Sequence, residues 1–189
     1  MTSTDRRYFH EMYRASRDPW NFETSEYERR KYAITMSALP RAHYTHAFEP
    51  GCSIGVLTEM LAERCDRVES SDIVEVALRR ARTRVSRFDH VHVRRKAIPE
   101  EWPEGQFDLI VISELAYYFD SRTLDQILAL VIDSTPPGAH VVGVHWRGPT
   151  DYPLSAREVH RRFDHCEMLR RVVHLVDEDF LLDVWERIP

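Results

Sequence analysis

The sequence predicts an α/β fold with a doubly wound, mostly parallel sheet that ends in an antiparallel hairpin. From residue 46 onward, short strand-like runs alternate with helical stretches, which is typical of βαβ units. A glycine-containing turn follows the first of these strands and leads directly into a helix. The last two strands are joined only by Asp177-Glu178, and so short a connection permits only antiparallel pairing.

The length and composition are those of a soluble globular protein. The chain has 189 residues, of which 43% are hydrophobic and 30% charged, and these values argue against disorder or a coiled coil. No apolar run approaches the ~18 residues of a membrane span, and the first residues lack the apolar core of a signal peptide. We expect one cytoplasmic domain over residues 1–189, with a helical lid at 1–40, a core at 46–189 and no membrane partner.

Charge and cysteine usage exclude further classes of protein. The net charge of −5 makes the surface a poor match for a polyanion, so no nucleic-acid partner is expected. Cys52, Cys65 and Cys166 show no CxxC spacing, which indicates reduced thiols. Because the close histidine pairs also lack ligand spacing, no metal site is expected.

The lid is predicted to consist of two helices. Between residues 5 and 17, aromatic and apolar side chains fall on one helical face, and Asp18-Pro19 ends that helix. Ser25 and Glu28 have the spacing of a capping box that opens a second helix, which Pro40 ends. We expect this segment to order over a bound ligand and exclude water from it.

The core elements then follow in order. The first five strands are predicted at HAFEP, RVESSD, HVHVRR, FDLIVIS and HVVGVHW, with helices over residues 55–64, 74–87 and 121–134. One more helix is predicted at 155–164, and the two hairpin strands at CEMLRRVVHLV and EDFLLDVWERI. These seven strands complete the predicted sheet.

The segment from Ala47 to Leu57 carries the clearest functional signal. Gly51 can adopt a positive φ at the turn, and both Gly51 and Gly55 let a ligand approach the backbone beside a helix N-terminus. Asp72, at the end of the second strand, has the position of an acid that accepts both hydroxyls of a ribose. Glu49, just before the turn, would repel a diphosphate but suits an ammonium or sulfonium group.

The glycine spacing separates two kinds of nucleotide ligand. A dinucleotide dehydrogenase needs G-x-G-x-x-G, whereas this chain has Gly51-x-x-x-Gly55 with Ser53 between the glycines. Together with Glu49, this spacing favours a nucleoside that carries an amino acid over a dinucleotide.

The segment resembles motif I of the class I S-adenosylmethionine-dependent methyltransferases, (D/E)-x-G-x-G-x-G, with Ser53 at the middle glycine. Residues 46–189 match that Rossmann-like fold in order, including the hairpin. DPWNFETSEYERRKYAITMSALP at 18–40 and the stretch HWRGPTDYPLSAREVH resemble the nodulation protein S type, whose members methylate sugars, including an amino sugar in a chitooligosaccharide. A further resemblance is to the 1-O-methyltransferases that cap methylmannose polysaccharides.

The resemblance implies S-adenosyl-L-methionine as the cofactor, while the sequence gives no support for a divalent cation. Gly51, Cys52 and Gly55 would border the methionine part, and Glu49 would face its amino group. Arg30 would pair with the methionine carboxylate, because a guanidinium binds a carboxylate bidentately. The remaining cofactor residues would be Asp72 at the ribose, Ile73, Ala97 and Ile98 at the adenine, Ser113 beside the methionine part, and Trp20 and Tyr27 in the covering segment.

The acceptor site is predicted at the carboxyl ends of the fourth and fifth strands. His145 ends the fifth strand and is the candidate base, because a neutral imidazole can take a proton at physiological pH. Glu114 and Tyr118 are the reserve candidates for catalysis. The candidate substrate contacts are Tyr117 as a wall of the transfer site, Trp146 and Tyr152 stacked on a sugar ring, and Arg147 bonded to its hydroxyls.

The sequence favours methyl transfer to a hydroxyl of a small-molecule or oligosaccharide acceptor in polysaccharide biosynthesis. Two alternatives stay open: an N-methyltransferase of an amino sugar or other small molecule, and a non-catalytic nucleoside-binding regulatory protein. Ser113-Glu114-Leu115-Ala116 stands where methyltransferases of bases and glutamine carry (D/N/S)-P-P-(Y/F/W). A homodimer is compatible with the sequence, which does not fix the oligomeric state.

Overall fold

The structure is a computed structural model that describes residues 2–189. Its strands are β1 (Tyr44–Pro50), β2 (Cys65–Asp72), β3 (Val91–Arg95), β4 (Leu109–Ser113), β5 (His140–Trp146), β6 (Leu169–Val176) and β7 (Phe180–Arg187). Its helices are α1 (Arg6–Ala15), α2 (Glu26–Ala38), α3 (Val56–Ala62), α4 (Glu75–Arg84), α5 (Ser121–Asp133) and α6 (Ala156–Asp164), with a 3-10 turn over Ala116–Tyr118.

The seven strands form one mixed sheet in the order β3-β2-β1-β4-β5-β7-β6. β1, β2 and β3 pair in parallel, as do β4 and β5, whereas β7 is antiparallel to both β5 and β6. The predicted doubly wound α/β fold with a C-terminal antiparallel hairpin is therefore confirmed. Within residues 2–189, no helix combines the length and the apolar character that crossing a membrane requires.

The chain divides into two compact units, Asp5–Ala97 and Ile98–Pro189, and the latter also includes residues 2–4. In Asp5–Ala97, α4 buries Leu78 and Ala81 together with Val93 of β3. A second cluster joins Tyr13 of α1 to Ile54, Val74 and Ala77, with Trp20 packed against it. The aromatic face predicted for the first helix is thus packed within this unit.

In the Ile98–Pro189 unit, the buried residues come from the helices and from strands β4, β5 and β7. α5 buries Leu124, Ile127 and Val131, and the interior of β5 is fully covered. Ser155 opens α6 with a complete capping box, because its side chain and that of Glu158 each accept the other's backbone N–H. At the start of α2, the Glu28 N–H donates to the Ser25 hydroxyl.

Candidate functional site

The loop between β1 and α3 adopts the conformation that its glycines permit. Gly51 and Gly55 have φ values of 76° and 80°, in the left-handed region that glycine enters without steric cost. A Cβ at Gly55 would lie 2.9 Å from Ala81, so the loop also packs too closely on α4 for a larger residue. The Gly51 and Cys52 N–H groups donate to the Ser71 carbonyl at 2.7 and 2.9 Å and fasten the loop to β2.

Ser53 links this loop to Asp72 and to the first helix. It has a φ of 52°, its N–H donates to Asp72 Oδ2 at 3.0 Å, and its hydroxyl contacts the Tyr13 hydroxyl. The Val74 N–H donates to Asp72 Oδ1 at 2.9 Å. Both oxygens of Asp72 thus accept from backbone donors, while a carboxylate can accept about four hydrogen bonds. Burial raises the pKa of Asp72 above its ordinary value, although the bonds from Val74 and Ser53 oppose that shift.

Glu49 is a buried carboxylate held by neutral donors. Its side chain lies at the end of β1 in a residue that is only 3% exposed. The hydroxyls of Thr58 and Ser70 both donate to Oε2, at 2.5 and 3.0 Å. Burial outweighs these two bonds and raises the pKa of Glu49 to about 7. A cation placed beside Glu49 would favour its charged form.

The other residues predicted to bind the cofactor lie in several surroundings. Trp20 and Ile73 are half-buried and pack against the cluster around Tyr13 and Ile54. Arg30 is exposed on α2, Tyr27 beside it is half-buried, and the Lys31 ammonium lies 4.7 Å from the Tyr27 ring centre. Ala97 is half-buried at the end of the Asp5–Ala97 unit. Ile98, which is buried, and Ser113, which is half-buried, belong to the other unit.

In the Ile98–Pro189 unit, Glu114 follows β4 in a left-handed conformation with a φ of 52°. A non-glycine residue in this region costs free energy, and such residues concentrate at functional sites. Its N–H donates to the Val144 carbonyl at 2.7 Å. Its Oε2 accepts the Trp146 N–H at 3.0 Å and the hydroxyl of Tyr117. The backbone conformation therefore fixes a carboxylate at the strand ends.

Tyr117, which donates to this carboxylate, packs against two further tyrosines, Tyr118 and Tyr152. The ring centres of Tyr117 and Tyr152 are 5.0 Å apart in a stacked pair, and those of Tyr118 and Tyr152 are 4.5 Å apart. Burial and the neighbouring Glu114 carboxylate raise the pKa of Tyr117 well above its ordinary value. Tyr117 therefore stays a neutral hydrogen-bond donor to Glu114. These aromatic residues have the packing of a rigid wall.

Trp146 and Arg147 differ in what holds them. The Trp146 indole lies against the backbone of Gly148, where an added Cβ would overlap the ring. Arg147 is exposed, and its guanidinium donates to the Asp177 carbonyl at 2.7 Å while its N–H donates to the Asp179 carbonyl at 2.9 Å. Arg147 is thus tied to the turn between β6 and β7 in this structure.

His145 lies in different surroundings from those expected of a base that faces a substrate. It is 1% exposed, its Nε2 accepts the Ala116 N–H at 3.2 Å, and its Nδ1 lies 2.9 Å from His160 Nε2. Both ring nitrogens thus have protein partners, because the interior of β5 is buried and α6 places His160 beside it. Its assignment as the base stays a prediction, and Glu114 is the better-placed candidate.

Sequence analysis did not single out Tyr13, which contacts the Ser53 hydroxyl, or Thr58 and Ser70, which donate to Glu49. Ser70 and Asp72 are two residues apart on β2 and therefore share a face, which is a signal that the sequence contains. Tyr13 and Thr58 gave no comparable signal, because their roles depend on how helices pack. Among residues 2–189, no group of three His, Cys, Asp or Glu side chains is arranged to hold a metal ion.

Comparison with known proteins gives a consistent family match. The model of the family Nodulation protein S (NodS) matches residues 3–137. Nodulation protein S of Rhizobium tropici is 31% identical over 130 residues, which are 68% of this chain and 55% of that protein. Its counterpart in Bradyrhizobium diazoefficiens is 34% identical over 119 residues, 62% of this chain and 57% of that protein. The chain spans a little over half the length of these relatives.

Solved structures give a similar match over most of both chains. A protein of Pseudomonas syringae, described as a candidate methyltransferase, is 40% identical, with a TM-score of 0.77 over 86% of this chain and 100% of that one. The N-methyltransferase NodS of Bradyrhizobium japonicum, in complex with S-adenosyl-L-homocysteine, is 25% identical, with a TM-score of 0.82. That alignment covers 95% of this chain and 97% of the solved one.

Proposed function

This chain belongs to the nodulation protein S family, and from that membership we propose that it is an S-adenosylmethionine-dependent methyltransferase whose acceptor is an amine. The main support is its likeness to an N-methyltransferase that carries S-adenosyl-L-homocysteine in its crystal structure. We expect the amine to belong to an amino sugar or a small saccharide, since the half-buried rings of Tyr152 and Trp146 are surfaces on which a sugar ring could pack.

The residues of the Asp5–Ala97 unit fit the proposed cofactor. Asp72 keeps acceptor capacity for a ribose hydroxyl after binding the Val74, Ser53 and Ile73 N–H groups. Both hydroxyls that bind Glu49 donate to its Oε2, so its Oε1 is the atom that would receive the ammonium group of the cofactor. Gly51 and Gly55 keep the adjoining backbone free of side chains.

When bound, S-adenosylmethionine supplies a methyl group on a sulfonium sulfur, and that sulfur becomes a thioether when the methyl group is transferred. The Ile98–Pro189 unit supplies the groups that would act on the acceptor. Glu114, oriented by the Trp146 N–H and the Tyr117 hydroxyl, would hold an ammonium group and accept its proton, which frees the nitrogen lone pair. Such positioning of an acceptor contributes ~7 kcal/mol or more to catalysis in favourable cases.

The surroundings of His145 also favour an amine over a hydroxyl acceptor. A hydroxyl has a high pKa and needs a strong base in the transition state, whereas an amine needs only to lose one proton. Both ring nitrogens of His145 are engaged by Ala116 and His160. Family membership does not support the expected O-methylation of a sugar, and it does not support 1-O-methylation of a methylmannose polysaccharide. The N-methylation that sequence analysis kept as an alternative is the better proposal.

The cofactor site is tested by isothermal titration calorimetry with S-adenosyl-L-homocysteine. Asp72→Ala is expected to weaken binding by about 1.5–3 kcal/mol, because charge-assisted hydrogen bonds to the ribose are lost. Asp66→Ala is the matched control, since Asp66 is an exposed carboxylate at the other end of β2, paired with His43. Absence of binding by the wild type would overturn the proposal, and equal affinity in Asp72→Ala would overturn the ribose assignment.

The acceptor is tested by transfer of a labelled methyl group. We expect labelling of a glucosamine oligosaccharide and none of its fully N-acetylated form, which keeps the hydroxyls but lacks the free amine. Labelling of both forms would instead indicate O-methylation. Tight cofactor binding without labelling of any amine or hydroxyl acceptor would favour the non-catalytic regulatory alternative.

A further inference from the structure

A continuous row of buried polar groups crosses the Ile98–Pro189 unit. The Ala116 N–H lies 3.2 Å from His145 Nε2, His145 Nδ1 lies 2.9 Å from His160 Nε2, and His160 Nδ1 lies 2.5 Å from Asp183 Oδ2. The three side chains come from β5, α6 and β7, and each residue is at most 3% exposed. At the far end, Nδ1 of the partly exposed His174 lies 2.6 Å from Asp183 Oδ1.

The chemistry of the first group sets the direction of every bond in the row. A backbone N–H can only donate, so His145 Nε2 must be the acceptor and His145 must carry its proton on Nδ1. That proton is then donated to His160 Nε2, which leaves the proton of His160 on Nδ1. His160 in turn donates to Asp183, whose carboxylate can only accept. Each donor in the row therefore points away from Ala116 and towards Asp183.

The packing around the row fixes the position of the His160 ring. Gly143 of β5 has no side chain, and an added Cβ would lie 2.9 Å from the Trp185 ring and 3.5 Å from His160 Cε1. The Trp185 ring centre lies 5.5 Å from that of His160 and 5.0 Å from that of Phe163. A glycine in a buried central strand thus marks the close approach of these rings.

We propose that Asp183, His160 and His145 are positioning residues that hold the Ala116 N–H and, with it, the turn that carries Tyr117. Ala116 is the first residue of that turn, and the Tyr117 ring centre lies 5.2 Å from that of His145. Tyr117 in turn donates its hydroxyl to Glu114. Any effect of this positioning on acceptor binding rests on the proposed methyltransferase function, whereas the hydrogen-bond row itself does not.

The alternative is that the row only satisfies buried polar groups. Removing one member of a buried ion pair lowers stability whether the pair is purely structural or not, so a loss of stability alone does not separate the two roles. A positioning role instead requires that loss of one member be transmitted to the backbone at Ala116. The two roles therefore differ in what happens to one amide and one imidazole, and both can be observed.

The test uses two replacements of His160 in the ligand-free full chain. His160→Gln offers an amide oxygen to His145 and an amide N–H to Asp183, so it can keep both bonds, whereas His160→Leu keeps volume and breaks both. Val131→Ala, in the buried face of α5, is the control for a general loss of stability. NMR measures the hydrogen exchange of the Ala116 amide and the protonation of the His145 nitrogens.

We expect His160→Leu to raise the exchange rate of the Ala116 amide by about tenfold and to shift His145 towards the Nε2-protonated tautomer. His160→Gln should restore both to their wild-type values. An unchanged amide and tautomer in His160→Leu, or an equal rise in Val131→Ala, would overturn the proposal. Even if His160→Leu fails to fold, an Nε2-protonated His145 in the wild type would overturn it. These measurements need no cofactor or acceptor, so failure of methyl transfer leaves their outcome interpretable.

Discussion

Two buried carboxylates, one in each compact unit, are held in opposite ways. Glu49 in Asp5–Ala97 receives two neutral hydroxyl groups, and burial raises its pKa to about 7. Asp183 in Ile98–Pro189 is 0% exposed; burial raises its pKa too, but hydrogen bonds from His160 and His174 more than offset this and hold it below its ordinary value. The two pKa values thus shift in opposite directions, and Asp183 differs from Glu49 in having imidazole rather than hydroxyl donors.

The difference lies in whether the protein itself stabilises the negative charge of the buried carboxylate. Asp183 has imidazole partners that stabilise its charge within the protein. Glu49 has neutral hydroxyl partners instead, and its charged form is costly until a cation approaches. Carboxyl groups whose pKa is raised by burial, as in Glu49, are typical of binding sites.

The largest effect on the free energy of unfolding is expected from removing the Asp183 carboxylate. Asp183→Leu leaves the His160 N–H without its acceptor and should lower the free energy of unfolding by about 3–5 kcal/mol at pH 7. Because its pKa is lowered in the folded state, Asp183 stabilises the protein above its ordinary pKa of 3.8, and this contribution is lost as pH falls through the lower folded value.

Urea unfolding at pH 7 and at pH 3 checks this prediction. Asp125→Leu is the matched control, because Asp125 is 59% exposed and pairs with Arg162 at the surface, where an ion pair contributes about 0–1 kcal/mol. A loss in Asp183→Leu no larger than in the control would contradict the comparison.

Glu49→Gln should act in the opposite direction. The amide can still accept from Thr58 and Ser70 but carries no charge. The folded-state pKa of Glu49 is raised, so the wild type loses stability as pH rises from 4.5 to about 7, whereas the variant does not. Above pH 8 the variant should therefore be more stable by about 2–3 kcal/mol, with little difference at pH 4. Its affinity for S-adenosyl-L-homocysteine should fall, since the ammonium group loses its counter-charge.

Urea unfolding at both pH values, followed by calorimetry, tests the two parts separately. Glu63→Gln is the control, because the Glu63 side chain is 64% exposed at the end of α3. If Glu49→Gln were destabilising at pH 8, the raised pKa would be wrong. If affinity were unchanged, the carboxylate would not be the partner of the ammonium group.

The sequence predicted the two regions unequally. The fold followed from alternating periodicity and from a two-residue connection, and the fifth strand lies at His140–Trp146 as predicted. Glu49 and Asp72 could be singled out because they stand at strand ends beside a glycine turn, a position that the local sequence reveals. Their hydroxyl and backbone partners could not be, since these depend on how α3 and β2 come together.

The row from His145 to Asp183 was beyond prediction for a physical reason. Its members are separated by 15 and 23 residues along the chain, and no periodic spacing links a strand, a helix and a hairpin strand. His145 was chosen from its place at a strand end, which says nothing about what its ring nitrogens bind. Gly143 was the available signal, because a glycine in an otherwise apolar buried strand indicates close packing.

The smallest effect sharpens the comparison at the loop beside Glu49. Ser53 has a left-handed backbone with a φ of 52°, and the contact of its hydroxyl with that of Tyr13 offsets part of the cost. Tyr13→Phe should lower the free energy of unfolding by about 0.5–1.5 kcal/mol, and Ser53→Gly should cost less than that because glycine accepts this φ without strain. In the double variant the losses should not add, because both changes remove the same contact. Urea unfolding of the four proteins measures this coupling, and Tyr8→Phe on the same helix is the control. Full additivity would show that the hydroxyl contact contributes nothing, and the loop would then owe its conformation to the Asp72 and Ser71 bonds alone.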